Sequence, residues 1–123
     1  ARGIPTLASY ATALAERAGL ARQWAGFFGE YDLLLSPTWT QLPFVAGWDI
    51  EKPGRAIETM QHARCVTPGN ALGLPSACVP AGLVEGLPVG VLLTGARFSD
   101  HLCLDAAEMV ESTLGLDTPI NPR

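Results

Sequence analysis

The stretch VTPGNALGLPSACVPAGLVEGLPVGVLLTGARF, residues 66–98, contains the strongest structural signals in the chain. Its segments Ser76–Ala81 and Val89–Thr94 are rich in small and β-branched residues, and glycines lie between them. This pattern is typical of a β-hairpin. Just before it, Thr67 is expected to cap a short helix over Pro68–Leu72, because proline fits the first helical position. The stretch therefore predicts a short helix that leads into a hairpin.

Two longer amphipathic helices are predicted on either side of this stretch. The first begins at Pro5 and ends at Gly29, and its apolar positions recur at alternating steps of four and three. The second is capped by Ser99 or Asp100 and ends at Gly115. The residues on the apolar sides are Leu7, Ala11, Leu14, Ala18, Ala21, Ala25 and Phe28 in the first helix, and Leu102, Ala106, Met109, Val110 and Thr113 in the second.

The segment between the first helix and the quoted stretch contains three patterns, which predict a strand, a long loop and a helix. Tyr31–Ser36 holds three consecutive leucines, and such an unalternated run predicts a strand covered on both faces. Residues 38–55 have no apolar period, so they predict a long loop, which in a compact protein is usually functional or disordered. A further helix is expected over Ala56–Arg64, with Ile57 and Met60 directed inward.

The composition indicates that this chain is a fragment that evolved as part of a larger protein. The chain has 123 residues, enough for one core and too few for two. Only 16% of its residues are charged, against roughly 25% in an average soluble domain. Because a short chain leaves proportionally more of its surface in water, it should need more charge than average, so we expect missing partner surface.

Charge, hydropathy and cysteine spacing exclude several classes of protein. No apolar run approaches the ~20 residues that span a bilayer, and no signal-peptide pattern is present, so neither membrane association nor secretion is expected. A net charge of −4 disfavours direct nucleic-acid binding. Cys65, Cys78 and Cys103 lack paired spacing, which argues against disulfides and a zinc site and favours a cytoplasmic protein. Cys78 and Cys103 are expected to be small core residues.

No complete active site can be assembled from the residues present. None of the five serines lies in a glycine-flanked nucleophile elbow. His62 and His101 are the only imidazole bases, and spacing alone does not bring either beside a serine and an acid. His62 and Cys65 would supply only two metal ligands, too few to close a site. The glycine spacing matches neither a phosphate-binding loop nor a dinucleotide fingerprint, so no metal or cofactor is expected.

Several short motifs, in this order, resemble the C-terminal stretch of the amidase signature family. They are a Gly-Leu-Pro at Gly73–Pro75, a strand ending Val-Pro-Ala-Gly at Val79–Gly82, and a Gly-Leu-Pro-Val-Gly turn at Gly86–Gly90. A strand of the form Val-x-Leu-x-Gly, Val91–Gly95, follows, and YDLLLSP at Tyr31–Pro37 is similar to the preceding family segment. The resemblance implies an α/β fold, part of a mixed twisted β-sheet flanked by helices. Residues 1–123 would be the C-terminal portion of a single amidase domain, without internal boundary and with a loose tail over 117–123.

The resemblance also implies a chemistry whose residues this chain does not contain. Family members hydrolyse amides through a nucleophilic serine, a second serine on a cis peptide, and a lysine. Here no two serines are adjacent, and the single lysine, Lys52, lies in the loop. No catalytic residue is carried over, and the isolated chain is expected to be inactive. Its partners would be the missing N-terminal part of the same enzyme and a small-molecule amide, with a homo-oligomer as a further expectation.

The family resemblance points to four candidate substrate contacts. The segment after the YDLLLSP strand faces the substrate in this family, which suggests Thr38, Trp39 and Gln41, and Asn70 on the short helix is the fourth. Each has a structural alternative as an ordinary polar or packing residue. Trp39 and Phe44 would suit an apolar or aromatic amide, or would instead attach the loop to the body of the protein.

Two other functions remain open at this level. One is a stand-alone, non-catalytic module that assembles with another chain through an exposed sheet edge. The other is the amidase subunit of a tRNA-dependent amidotransferase, which belongs to the same family.

Overall fold

The computed structural model describes residues 5–116. The loose tail predicted over 117–123 lies outside the described residues. A 3₁₀ turn, Trp48–Ile50, interrupts the long loop. No helix within the described range combines the length and the apolar character needed to cross a bilayer. The other elements are α1 (Leu7–Phe27), β1 (Leu33–Pro37), α2 (Arg55–His62), α3 (Thr67–Leu72), β2 (Ser76–Val84), β3 (Leu87–Gly95) and α4 (Asp100–Leu114).

The three strands form an antiparallel sheet in the order β1-β3-β2. The predicted hairpin is confirmed as β2 and β3, and both strands run up to a two-residue turn at Glu85 and Gly86. Both turn residues have positive φ, of 53° and 77°, which is the backbone of the tight turns that match the twist of a hairpin. A β-bulge between Pro80 and Gly82 shifts the register of β2.

The core lies between α4 and one face of the hairpin. Val79 and Leu93 from the strands pack with Ala107 from the helix. Cys103 is 1% exposed, which confirms its prediction as a core residue. Gly95 allows this close approach, because a methyl group added there would lie 2.9 Å from the Cys103 sulfur. The α/β class predicted from the sequence is therefore confirmed.

Several apolar side chains that were predicted to face inward are exposed. Leu35 is 60% exposed because α4 packs mainly over β2 and β3, so the prediction of a strand covered on both faces is wrong for the described residues. Ile57 and Met60 on α2, and Met109 on α4, are also largely exposed. No residue of α1 is buried. The described residues contain too little surface to cover these faces.

The helix ends differ from the sequence expectation in their capping. Thr67 is the first residue of α3 rather than its cap, and its hydroxyl donates to the carbonyl of Ala63. Ser99 occupies the cap position of α4, but its hydroxyl donates to the carbonyl of Ala96. Thr6, which follows Pro5, caps α1, because its side chain accepts from the Ser9 amide and the Ser9 side chain accepts in return. At α3 and α4, therefore, the hydroxyls of Thr67 and Ser99 donate to a nearby carbonyl and do not accept from a helix amide.

Candidate functional site

An open groove of about 740 Å³ lies between the chain after β1 and the face of the hairpin opposite α4. Most of its lining is apolar, and no lining residue among those described carries a charge. Apolar concavities with a few polar groups are typical of small-molecule sites. The wall from the loop is formed by Pro37, Thr38, Trp39, Thr40, Gln41, Leu42, Pro43 and Phe44, and the sheet contributes Cys78, Ala81, Pro88, Val89, Gly90 and Val91.

Thr38 fixes the wall to the sheet at the point where β1 ends. Its backbone amide donates to the carbonyl of Gly90 over 3.2 Å. Its hydroxyl lies 3.0 Å from the sulfur of Cys78, within hydrogen-bond distance. A methyl group on Gly90 would lie 3.2 Å from that sulfur and 3.4 Å from the hydroxyl oxygen. The contact between Thr38 and Cys78 therefore depends on glycine at the position between them.

The next part of the wall, Trp39–Gln41, is attached to the end of α2. The Thr40 amide donates to the carbonyl of His62 over 3.2 Å, and the Thr40 hydroxyl lies 3.3 Å from its Nδ1 atom. The rings of Trp39 and His62 are 6.3 Å apart at an angle of 49°. Backbone and side-chain contacts to one histidine thus hold Thr40 and Trp39, and Gln41 follows Thr40 directly in the chain.

The far end of the wall is attached to the beginning of the same helix. The ring of Phe44 packs against Trp48 of the 3₁₀ turn, with centroids 5.1 Å apart. The guanidinium of Arg55 lies 4.0 Å from the centre of the Trp48 ring, a cation–π contact. Arg55 also pairs with Glu58 at 3.0 Å and, more loosely, with Glu51 at 3.9 Å.

The structure brings together three of the four candidate substrate contacts. Thr38, Trp39 and Gln41 line the groove, and Phe44 lines it as well. Asn70 lies on α3, exposed, and is not part of the lining.

Cys78 belongs to the groove, and the prediction that it is a core residue is wrong. Successive side chains of a strand point to opposite faces, so the burial of Val79 against α4 directs Cys78 to the other face. The segment Ser76–Ala81 has small residues at most positions and no alternation of polar and apolar side chains, so its sequence does not distinguish the two faces. Gly90 was also missed, because its importance follows from the pairing register of the strands.

The groove offers binding surface, and among its described lining residues the Cys78 thiol and the threonine hydroxyls are the only groups of a nucleophilic type. Its lining contains no serine, lysine, histidine or carboxylate among the described residues, and nowhere in residues 5–116 do three metal-ligating side chains gather. The Cys103 thiol is on α4, on the other side of the sheet from the groove, and lies 3.6 Å from the carbonyl oxygen of Pro75. Burial raises its pKa, and the nearby charge of Asp100 raises it further, so this thiol stays protonated and unreactive.

Comparison with known proteins gives a consistent result over most of the chain. A family model described as Amidase matches residues 4–104. A glutamyl-tRNA(Gln) amidotransferase subunit of Rubrobacter xylanophilus is 35% identical over 115 residues, covering 94% of this chain and 23% of that protein. Indoleacetamide hydrolase of Bradyrhizobium japonicum is 36% identical over 111 residues, covering 89% of this chain and 24% of that protein.

A solved structure shows the same fold. The crystal structure of a glutamyl-tRNA(Gln) amidotransferase subunit from Thermotoga maritima matches with a TM-score of 0.75 and 29% identity. The match covers 94% of this chain and 24% of the other. The chain thus spans about a quarter of the length of the proteins that it matches.

Proposed function

Because this chain belongs to the amidase family, we propose that it is the C-terminal part of an amide hydrolase and forms one wall of its substrate pocket. The observation that carries the proposal is the groove, where Thr38, Trp39 and Gln41 meet the open face of the hairpin. The remaining catalytic machinery would lie in residues outside this chain.

The proposed reaction is hydrolysis of a carboxylic amide, in which water replaces the amine on the carbonyl carbon. A serine and lysine outside the chain, as the family resemblance implies, would form and hydrolyse an acyl-serine intermediate. Lys52, the single lysine, is not part of the groove, and the chain has no adjacent serines. We therefore propose that the chain binds and orients the substrate and has no hydrolytic activity alone.

The lining supports an amide with an apolar or aromatic substituent. Trp39 and Phe44 present aromatic surface, and Gln41 supplies an amide that both donates and accepts hydrogen bonds. No ionised side chain from the described residues would have to be desolvated when an uncharged substrate enters. The name of the Bradyrhizobium relative, an indoleacetamide hydrolase, agrees with this class. Asn70 is proposed as a separate contact that would reach the substrate from α3.

The proposal is tested by ammonia release in the full-length protein that carries this chain. Indole-3-acetamide and acetamide are compared as an aromatic and a small aliphatic substrate. We expect a higher kcat/KM for the aromatic amide and no ammonia release from residues 1–123 alone. If the full-length protein hydrolyses neither amide, the proposed substrate class is wrong. Asn70→Ala tests the separate contact, and an unchanged KM would remove Asn70 from the site.

A second candidate, the amidase subunit of a tRNA-dependent amidotransferase, is favoured by the name of the Rubrobacter relative. In that case ammonia release from glutamine would require partner subunits. Purification of the tagged full-length protein from its own cells, followed by mass spectrometry and light scattering, distinguishes a hetero-complex from a homo-oligomer or a monomer. We propose the cytoplasm as its location, because the structure leaves all three cysteines unpaired.

A further inference from the structure

Helix α2 lies behind the wall of the groove rather than in it. None of its residues, Arg55–His62, is part of the lining. Its His62 end contacts Thr40 and Trp39 of the wall. Its Arg55 end packs on Trp48, which in turn packs on Phe44 of the wall. Residues 38–54, which join β1 to α2 and include the wall, contain one 3₁₀ turn and no other regular element. Local backbone hydrogen bonding therefore fixes little of the wall's shape, and beyond Thr38 the contacts to α2 and to Trp48 restrain it.

The His62 end makes the tighter attachment. A backbone bond and a side-chain contact both join His62 to Thr40, and the imidazole ring also faces Trp39. Thr40, which contacts His62 through its amide and its hydroxyl, lies between Trp39 and Gln41 in the chain. A change at His62 therefore acts on the Trp39 ring directly and on the Gln41 amide through the neighbouring residue Thr40.

The Arg55 end acts on the groove through two aromatic rings. Arg55 packs on Trp48, and Trp48 packs on Phe44, which lines the groove. The side chain of Arg55 is only 26% exposed and is paired with Glu58, so its position over the ring is well defined. Phe44 is thus supported from the same helix that supports Trp39.

We propose that α2 is a clamp that determines substrate specificity, with His62 as the positioning residue for Trp39–Gln41 and Arg55 as the positioning residue for Phe44. The inference rests on the proposed function, because it assigns a role to residues that do not contact substrate. It predicts that changes in α2 alter the preference for large aromatic amides over small ones. Acetamide is too small to depend on the aromatic wall.

The test compares His62→Ala with His101→Ala in the full-length protein, using indole-3-acetamide and acetamide. His101 is a matched control, because it is the other histidine and is exposed on α4. We expect His62→Ala to lower the ratio of kcat/KM for the aromatic amide over that for acetamide about tenfold, mainly through KM. His101→Ala should leave this ratio unchanged.

Two further variants separate positioning from folding. His62→Asn keeps a hydrogen-bonding atom near the position of Nδ1 and should restore most of the selectivity. Thr40→Val removes the hydroxyl at nearly constant volume, and adding it to His62→Ala should lower the ratio little further, because both act on one contact. Arg55→Met should lower the selectivity about threefold by removing the cation–π contact.

The possible failures are distinguishable. If the wild type hydrolyses both amides and His62→Ala lowers both rates equally, His62 is merely structural and the inference is wrong while the proposed function stands. If His62→Ala changes neither rate, the inference is also wrong. If the wild type hydrolyses neither amide, the proposed function and the inference fail together.

Discussion

The hydroxyl of Thr38 lies 3.0 Å from the thiol of Cys78. Thr38 directly follows β1 and Cys78 lies in β2, and β3 runs between these two strands in the sheet. Gly90 of β3 lies between them and has no side chain to keep them apart. The side chains of Thr38 and Cys78 therefore meet over Gly90, and this contact fixes the position at which the wall begins. Its geometry depends on one small residue in the central strand.

Replacement of Gly90 tests this arrangement. Gly90→Ala would place a methyl group 3.2 Å from both the Cys78 sulfur and the Val79 carbonyl. We expect a loss of about 1–3 kcal/mol in the free energy of unfolding and a higher KM for the aromatic amide. Adding Cys78→Ala removes one of the three close contacts and should recover part of the loss. Full stability and an unchanged KM in Gly90→Ala would contradict the described geometry.

Gly95 is expected to be more sensitive than a glycine in open space. A methyl group there would lie 2.5 Å from the Ser99 hydroxyl oxygen and 2.9 Å from the Cys103 sulfur. Gly95→Ala should cost about 2–3 kcal/mol, as in other overpacked cores. Gly26→Ala in α1 has nothing within 4 Å and should be neutral or stabilising by up to about 1 kcal/mol. Denaturant midpoints measure both, and equal effects would argue against the close packing of α4 on β3.

The cysteines should differ in their reaction with N-ethylmaleimide. Cys78 is exposed in the groove, whereas Cys103 is buried and its pKa is raised. Mass spectrometry after brief labelling of the folded protein should detect modification of Cys78 well before that of Cys103. Bound aromatic amide should slow labelling of Cys78 and leave Cys65, which is not part of the groove lining, unaffected. Equal protection of Cys65 and Cys78 would indicate a general tightening instead of occupancy of the groove.

The raised pKa of Cys103 gives a pH dependence with a defined sign. The unfolded thiol ionises near its ordinary pKa of 9.0, while the folded thiol remains protonated to a higher pH. The unfolded state therefore loses its proton first, and the stability contributed by this group falls as pH rises above 9. Cys103→Ser removes the titration and retains a donor near the Pro75 carbonyl. The Tm of the wild type should fall relative to Cys103→Ser between pH 9 and pH 11, and parallel curves would contradict the shift.

The sequence predicted the elements well because most of them are specified locally. The hairpin follows from two segments of small and β-branched residues with glycine between them, and α3 ends at Gly73 as its left-handed backbone requires. Burial was predicted less well. Ile57 and Met60 have the spacing of an inward face, but spacing does not show whether the surface they would cover belongs to the same chain.

The groove was predictable only on its loop side. The absence of an apolar period over residues 38–55 predicted a functional or disordered loop, and the family resemblance pointed to Thr38, Trp39 and Gln41. The sheet side consists of the β2 residues that do not pack against α4. Because α4 is distant in sequence, the sequence of β2 alone does not show which residues these are. The clamp likewise depends on a contact between Thr40 and His62, which are 22 residues apart.

The central claim is that the groove holds the substrate, and the KM of Trp39 variants for indole-3-acetamide tests it most directly. Trp39→Phe keeps an aromatic ring in the wall and serves as the matched control for Trp39→Ala. In the full-length protein, we predict that Trp39→Ala raises KM about tenfold or more, with a smaller effect on kcat, and that Trp39→Phe raises it about twofold. An unchanged KM in Trp39→Ala, with the protein folded and active, would contradict the account.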